Sequence, residues 1–113
     1  MKPEVLFVVR ADPSREQVAT EVLSEILTFA AFDVRVSLLF LGEGVRFLAA
    51  DIAPALSGMM ASLDFYGVEE LFADRESLEA FSVSEENIPM PVTILKPSDI
   101  SSCLRRHAWI IGD

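Results

Sequence analysis

The sequence predicts an α/β fold in which helices cover both faces of a five-stranded sheet. Short apolar runs of strand length recur along the chain, and the clearest of them lack the polar alternation of a strand exposed on one face. Between these runs, apolar residues repeat at helical spacing. The run 37–41 ends at Gly42 and Gly44, where the backbone can turn without a Cβ penalty, and a helical pattern follows. Strand, turn and helix form the repeating unit of α/β proteins, which place their sites at such turns.

Length and composition limit the classes of protein that fit. The 113 residues suit one domain, residues 1–113, and 51% of them are apolar, which argues against disorder. No apolar run reaches the length of a membrane span, and residues 1–3 lead into a strand without a secretory leader, so we expect no membrane partner. The single cysteine fits a reducing cytoplasm. The net charge of −9 disfavours direct binding to nucleic acid, because phosphates would be repelled.

The first half of the chain predicts a strand, a helix and a second strand. Residues 5–9 form an apolar, β-prone run. A helix over 14–31 follows, with Ser14 at the start of a capping-box pattern and Asp12 as the alternative N-cap. Its apolar residues fall on one face, as expected of a helix packed against a sheet. The second strand covers 34–41.

The second half predicts further helices and strands. Residues 43–50 form a short helix, and a longer one over 54–66 ends at Gly67. Asp74 is placed to cap the helix after the third strand. The remaining elements are a third strand at 69–73, an exposed loop at 82–91, a fourth strand at 92–95, a last helix beginning at Ser98 or Asp99, and a fifth strand at 108–111.

No strong catalytic motif is present. Gly42 and Gly44 resemble the opening of a dinucleotide fingerprint, but Phe47 occupies the place of its third glycine and blocks close helix–strand packing. A phosphate-binding loop and a G-x-S-x-G elbow are both missing. With one histidine and one cysteine, a zinc site would need carboxylates as its other ligands. We therefore expect no cofactor and no metal.

Cys103 and His107 lie four residues apart on the last predicted helix, so their side chains could touch. An imidazolium would lower the pKa of the thiol, whereas burial and the helix C-terminus would raise it. Cys103 shares its face with Ile100 and Leu104, which favours an inert core thiol over a reactive one. A carrier role for Cys103, tuned by His107, is the alternative.

Two further groups of residues are candidates for function. Charged residues follow the predicted strands at their carboxyl ends, where solvated ends and helix caps are the simpler explanation and a small-ligand site the alternative. These rim residues are Arg10, Asp12, Glu43, Asp74, Arg75 and Lys96. The helix 54–66 carries an apolar stripe, and packing against the sheet in the core is the favoured explanation for most of its members. Together with the helix 43–50, however, it supplies more apolar surface than one short sheet face requires, which indicates an oligomer interface. The stripe consists of Leu56, Met59, Met60, Leu63 and Tyr66.

Three segments resemble the DsrE/DsrF/TusC sulfur-relay family, and most closely its DsrF/TusC branch. They are LFLGEGV at 39–45, FYGVEELFADRESL at 65–78 and LRRHAWII at 104–111. The resemblance implies a three-layer α/β/α sandwich with a parallel sheet in the strand order 4-3-2-1-5. It also implies cytoplasmic subunits that assemble into homo- or hetero-oligomers with related chains.

The resemblance also bears on function. In the family, the DsrE/TusD-type partner carries a cysteine at the end of the third strand, which receives persulfide sulfur. The matching position here is Asp74, and a carboxylate cannot hold a persulfide. The resemblance therefore implies an accessory, non-catalytic subunit of a sulfur-transfer complex serving tRNA thiolation or sulfur oxidation. The alternatives are a self-assembling sulfurtransferase that uses Cys103 and a small-ligand binding module.

Overall fold

A computed structural model describes residues 4–68 and 70–112 of the chain. Within these residues, no helix combines the length and the apolar character needed to cross a membrane. The strands are β1 (Glu4–Val9), β2 (Arg35–Phe40), β3 (Glu70–Asp74), β4 (Thr93–Leu95) and β5 (Trp109–Gly112). The α-helices are α1 (Glu16–Ala31), α2 (Pro54–Ser62), α3 (Arg75–Ala80) and α4 (Pro97–Arg105), and 3₁₀ helices cover Gly42–Leu48 and Glu85–Asn87.

The five strands form one parallel sheet in the order β4-β3-β2-β1-β5, as predicted. β1 and β2 lie at the centre, with Val5 opposite Val36 and Val9 opposite Phe40. Both strands are buried from their second residue onward. Their unbroken apolar sequence follows from this position, because a central parallel strand is covered on both faces.

Helices cover the two faces of the sheet unequally. Alternate residues of β1 point to opposite sides, so Phe7 joins a core cluster with residues of α1, α2, α3 and the first 3₁₀ helix. Leu6 joins a second cluster whose helical members come from α4, among them Cys103. The strand order explains this division, because right-handed crossovers from β1 to β4 keep their helices on one face, and the return to β5 uses the other. The predicted three layers are confirmed.

The glycines after β2 set the path of the first 3₁₀ helix. Gly42 has a φ of +55°, which glycine adopts at little cost. Gly44 lies against the end of β1, and a Cβ built there would be 1.9 Å from the carbonyl oxygen of Val9. The helix therefore crosses directly over the carboxyl end of β1, and only glycine fits at the crossing.

Several predicted helix boundaries are wrong. Ser14 does not cap α1, because its backbone N–H and its hydroxyl both donate to the carboxylate of Asp12, at 2.9 and 2.7 Å. The helix begins at Glu16 and lacks a side-chain cap. Similarly, Ser98 and Asp99 do not cap α4, because Pro97 already occupies its first turn after Lys96.

The segment 43–66 also differs from its prediction. The first of its two predicted helices is 3₁₀ and runs from Gly42 to Leu48. The second ends at Ser62 rather than at residue 66, and turns lead to Gly67, whose φ is +85°. Glu69, predicted as the first residue of the third strand, lies outside the described residues.

Candidate functional site

The strand order predicts a ligand site at the carboxyl ends of β3 and β4. These strands are neighbours, yet the helix after β3 packs on one face of the sheet and the helix after β4 packs on the other. Adjacent parallel strands whose connections diverge in this way leave a crevice between their carboxyl ends, where open α/β sheets bind ligands. Asp74, the last residue of β3, pairs with Leu95, and Lys96 follows at once. Asp74 and Lys96 therefore lie at the place where the topology predicts a binding crevice.

Asp74 is held in place by α3, which it caps as predicted. Its Oδ2 accepts a hydrogen bond from the Ser77 hydroxyl at 2.6 Å and a longer one from the Ser77 backbone N–H at 3.3 Å. The Ser77 oxygen in turn accepts a hydrogen bond from the N–H of Gly42 at 2.8 Å. Ser77 is 8% exposed, so this chain of hydrogen bonds is shielded from water. It ties the turn after β2 to the end of β3 and fixes the carboxylate.

Asp12 forms a second centre on the rim, after β1. Its Oδ1 lies 2.9 Å from Nη1 of Arg46, a residue of the 3₁₀ helix. The hydrogen bonds from the Ser14 backbone and hydroxyl lower the pKa of Asp12, with smaller contributions from Glu43 and Arg46, and they outweigh the opposing effect of burial. The carboxylate is thus ionised, and its contacts hold its own loop against the 3₁₀ helix.

Of the other rim residues, Glu43 lies beside Asp12, since it contributes to the lowered pKa of that carboxyl. Arg10, Glu43, Arg75 and Lys96 are all exposed at the strand ends. Arg10 extends toward β5, since its Nη1 would lie 3.8 Å from a Cβ built on Gly112. The rim therefore carries a capped carboxylate at Asp74 and, separately, the ion pair of Asp12 and Arg46 with Glu43 beside it.

Sequence reasoning missed Ser77 and Arg46, the residues that position these two carboxylates. Ser77 had a recognisable signal, because it stands three residues after a predicted helix cap, where a hydroxyl can reach the capping side chain. Arg46 had no comparable signal, since its partner Asp12 is 34 residues away in the sequence.

Cys103 is fully buried in the second core cluster, among side chains that include Leu6, Leu39 and Phe72. Burial raises the pKa of its thiol, and Arg106 only partly opposes this effect. The thiol is therefore protonated and out of contact with solvent at neutral pH. This environment does not suit a nucleophile.

His107 meets Cys103 through the backbone and not through the thiol. Its Nδ1 lies 2.8 Å from the carbonyl oxygen of Cys103. A carbonyl oxygen can only accept, so Nδ1 carries the hydrogen and the ring caps the C-terminal turn of α4. The geometry gives His107 a structural role at the helix end.

The predicted interface stripe on 54–66 divides into two parts. Leu56, Met60 and Leu63 are at most 3% exposed and pack in the larger core cluster, as the sequence favours for most of the stripe. Met59 is half-buried, and Tyr66 is 45% exposed. The rings of Tyr66 and Phe65 meet edge to face, with their centroids 5.4 Å apart. For Met59 and Tyr66 the interface remains a prediction.

Metal chemistry has no visible basis in this region. Across residues 4–68 and 70–112, no group of three or more histidine, cysteine or acidic side chains is placed to hold a metal ion.

The strand order and the two helical layers define an open three-layer α/β/α protein with a parallel sheet. The sequence identifies the family within this class of fold. The profile of the DsrE/DsrF-like family matches residues 4–108, and the chain belongs to that family.

Known proteins resemble the chain in sequence and in fold. A protein of Pseudomonas aeruginosa described as a TusC homolog is 29% identical over 117 aligned residues, which cover 98% of both chains. A protein of unknown function from Methanobacterium thermoautotrophicum superposes with a TM-score of 0.73 at 22% identity, covering both chains completely. The ychN protein of E. coli gives 0.65 at 11% identity, also with complete coverage. At these identities the two solved structures establish the fold.

Proposed function

We propose that this chain is an accessory subunit of a sulfur-relay complex, in which it supports a sulfur-carrying partner and carries no sulfur itself. Membership of the DsrE/DsrF-like family and the full-length similarity to a TusC homolog support the sulfur-relay setting. The accessory role is our inference from this chain's own side chains.

The observation that carries the proposal is Asp74 at the end of β3. The resemblance to the family puts the sulfur-receiving cysteine of a DsrE/TusD-type subunit at this position. A persulfide needs a sulfur atom to form its S–S bond, and a carboxylate offers none. The carboxylate of Asp74 is moreover occupied by its hydrogen bonds to Ser77. The end of β3 thus holds a fixed carboxylate where a sulfur carrier would need a thiol.

Cys103 does not replace the missing nucleophile. Its thiol is fully buried and its pKa is raised, so both access and the thiolate form are lacking. A self-assembling sulfurtransferase based on Cys103 would require α4 to leave the sheet in every cycle. The geometry therefore favours the accessory role over this alternative.

The proposal includes partners of the same fold. We infer that the chain works in the cytoplasm with related subunits, one of which supplies the cysteine. The complex would serve tRNA thiolation or sulfur oxidation, and the net charge of −9 assigns any contact with tRNA to another subunit.

The first experiment is affinity capture of the tagged full chain from its native host, followed by native mass spectrometry of the intact complex. We expect small α/β subunits in fixed stoichiometry, at least one with a cysteine at the end of its third strand. Recovery of this chain without any such subunit would refute the proposed function.

A sulfur-loading assay tests the accessory role directly. The purified chain is treated with polysulfide, and intact mass spectrometry counts the sulfur atoms gained. The native chain should gain none, because Cys103 is buried. The variant Asp74→Cys should gain one, since it places a half-buried thiol at the carboxyl end of β3, while Asp74→Ser controls for loss of the carboxylate. Loading of the folded native chain on Cys103 would favour the sulfurtransferase alternative.

A further inference from the structure

We propose that a pocket at the amino ends of β1, β2 and β3 binds a free α-amino acid, whose carboxylate meets Arg106 and whose ammonium group meets Glu70. The pocket lies at the opposite end of the sheet from Asp74, so the inference goes beyond the proposed function and involves no sulfur chemistry. It rests on a buried hydroxyl without a partner and on two opposite charges that face one cavity without touching.

The pocket lies on the α4 face of the sheet, beyond the end of that helix. Ser37 stands two residues before Leu39 in β2 and therefore shares its α4 face. Glu70 stands opposite Ser37 in the register of β3 with β2, on the same face. α4 ends at Arg105, and the turn to β5 follows. The cavity has a volume of about 320 Å³, in the lower part of the range of ~300–1,000 Å³ that is typical of small-molecule sites. Its lining residues are all polar, namely Glu4, Arg35, Ser37, Glu70, Arg106 and His107.

Ser37 distinguishes this pocket from an ordinary surface groove. It interrupts the apolar sequence of the central strand β2 and is 8% exposed. Its hydroxyl makes no hydrogen bond within the described chain. No side-chain oxygen or nitrogen there is both sealed from solvent and unpartnered, so the Ser37 oxygen must reach the cavity that the residue lines. A buried hydroxyl without a partner costs stability, and a ligand that bonds to it removes this cost.

Two opposite charges face the pocket without contact between them. The guanidinium of Arg106 lies over the ring of Phe72, 5.7 Å from its centroid. An arginine held against a ring can still bind a carboxylate through two of its N–H groups. Arg106 lowers the pKa of Cys103 and Glu70 raises it, so both charges lie near this one thiol. Yet no ion pair joins Arg106 to Glu70 among the described residues. The gap between them suits a ligand that carries one charge of each sign.

The charges of the pocket favour a zwitterion over a simple ion. Glu4 and Arg35 already form an ion pair, with 3.0 Å between Oε1 and Nη1. Glu70 and Arg106 add one charge of each sign, so the formal charges of these four side chains cancel. A phosphate would meet two carboxylates, and the described residues offer no set of ligands for a metal ion. An α-amino acid supplies a carboxylate and an ammonium group in one compact molecule, and Ser37 can accept a hydrogen bond from the ammonium.

Isothermal titration calorimetry of the native chain with L-serine, L-asparagine and L-glutamine tests the proposal. These probes have small polar side chains, as the polar lining favours. We expect at least one to bind with a Kd below ~1 mM. Analogues of the bound amino acid without its carboxylate or without its ammonium group should bind at least ~10-fold more weakly. For serine these are ethanolamine and 3-hydroxypropanoate. Failure of all three amino acids to bind, or equally tight binding of inorganic phosphate, would overturn the proposal.

Matched variants test whether binding occurs at this pocket. Glu70→Gln and Arg106→Gln each remove one charged contact and should weaken binding at least ~10-fold. Arg105→Gln and Glu25→Gln are the controls, because both residues are exposed and lie outside the pocket. They should bind as the native chain does. Native affinity in Glu70→Gln and Arg106→Gln would assign the binding to another place and overturn the inference.

Ser37→Ala separates a role in binding from a role in the fold. The hydroxyl has no partner in the described chain, so its removal should leave the urea midpoint of the free protein unchanged or raised. The same variant should bind the amino acid at least ~5-fold more weakly, because one hydrogen bond to the ligand is lost. Unchanged affinity, whatever the midpoint, would overturn the inference.

Discussion

Ser77 joins three parts of the chain at the carboxyl end of β3. Its hydroxyl donates to Asp74 and accepts from the N–H of Gly42, while its backbone N–H completes the cap of α3. Replacement by alanine leaves the N–H of Gly42 without its partner in a partly buried turn. We expect Ser77→Ala to lower the free energy of unfolding by about 1–3 kcal/mol, measured by urea denaturation.

Ser98→Ala is the matched control for this prediction. Ser98 is an exposed serine in the first turn of α4 and makes no capping hydrogen bond in the described chain, so its loss should change stability little. A double-mutant cycle with Asp74→Ala then tests whether the residues act together. Strictly additive effects would contradict a coupled network.

Asp12 makes stability depend on pH. The hydrogen bonds from Ser14, with smaller contributions from Glu43 and Arg46, lower its pKa below the ordinary value of 3.8. A lowered folded-state pKa means that the ionised form favours the fold. This contribution is complete above pH 3.8 and is lost as pH falls through the lowered value.

The variant Asp12→Asn measures that contribution. Urea midpoints are measured from about pH 6 down to about pH 2. The native chain should have the higher midpoint near pH 6, and its difference from Asp12→Asn should shrink as the pH falls. Glu25→Gln, which removes one exposed carboxylate from α1, controls for the change in net charge. A difference between the native chain and Asp12→Asn that stays constant across this range would contradict the assignment.

The first 3₁₀ helix depends on its contact with β1. A Cβ on Gly44 would overlap the carbonyl of Val9, whereas a Cβ on Gly58, within α2, meets nothing within 4 Å. Gly44→Ala must therefore displace the helix or the strand end. We expect it to lower the free energy of unfolding by about 1–3 kcal/mol. Gly58→Ala should stabilise by roughly 0.5–1 kcal/mol, because alanine favours a helix. Thermal melts compare the two variants. Equal destabilisation by both would contradict the close packing of the 3₁₀ helix on the end of β1.

The elements that the sequence predicts well are those determined by burial. β1 and β2 read as unbroken apolar runs because both of their faces are covered, and the α1 pattern reflects its buried Ala19, Leu23 and Ile26. Their boundaries were less predictable, because local hydrogen bonds decide them. Asp12 takes the donors of Ser14 and so removes the cap that the sequence pattern offers.

The candidate site was predictable only in part. That Asp74 ends β3 and caps a helix follows from local sequence. The pairing of Asp12 with Arg46, and of Ser77 with Gly42, joins residues more than 30 positions apart, which no local pattern encodes. The apolar stripe on 54–66 has the same limit as a predictor. Spacing alone cannot tell a core face from an interface, and α2 packs against α1 to bury Leu56 and Met60.

At the scale of the whole molecule, the fold is asymmetric in two directions. One face of the sheet carries three α-helices and a 3₁₀ helix, while α4 alone supplies the helical part of the other core cluster. Across the sheet, one edge is guarded by prolines and a lysine, and the other presents exposed tryptophan and isoleucine. The central strands therefore hold the most stable structure, and the two edge strands lie outside it.

Hydrogen exchange measured by mass spectrometry tests this arrangement. Amides of β1 and β2 should exchange slowest, only through global unfolding, because both strands are hydrogen-bonded on each side and almost fully buried. Amides of β4 and β5 should exchange earlier, because both are short strands at the edges of the sheet. Exchange of either edge strand as slow as that of β1 and β2 would contradict this arrangement.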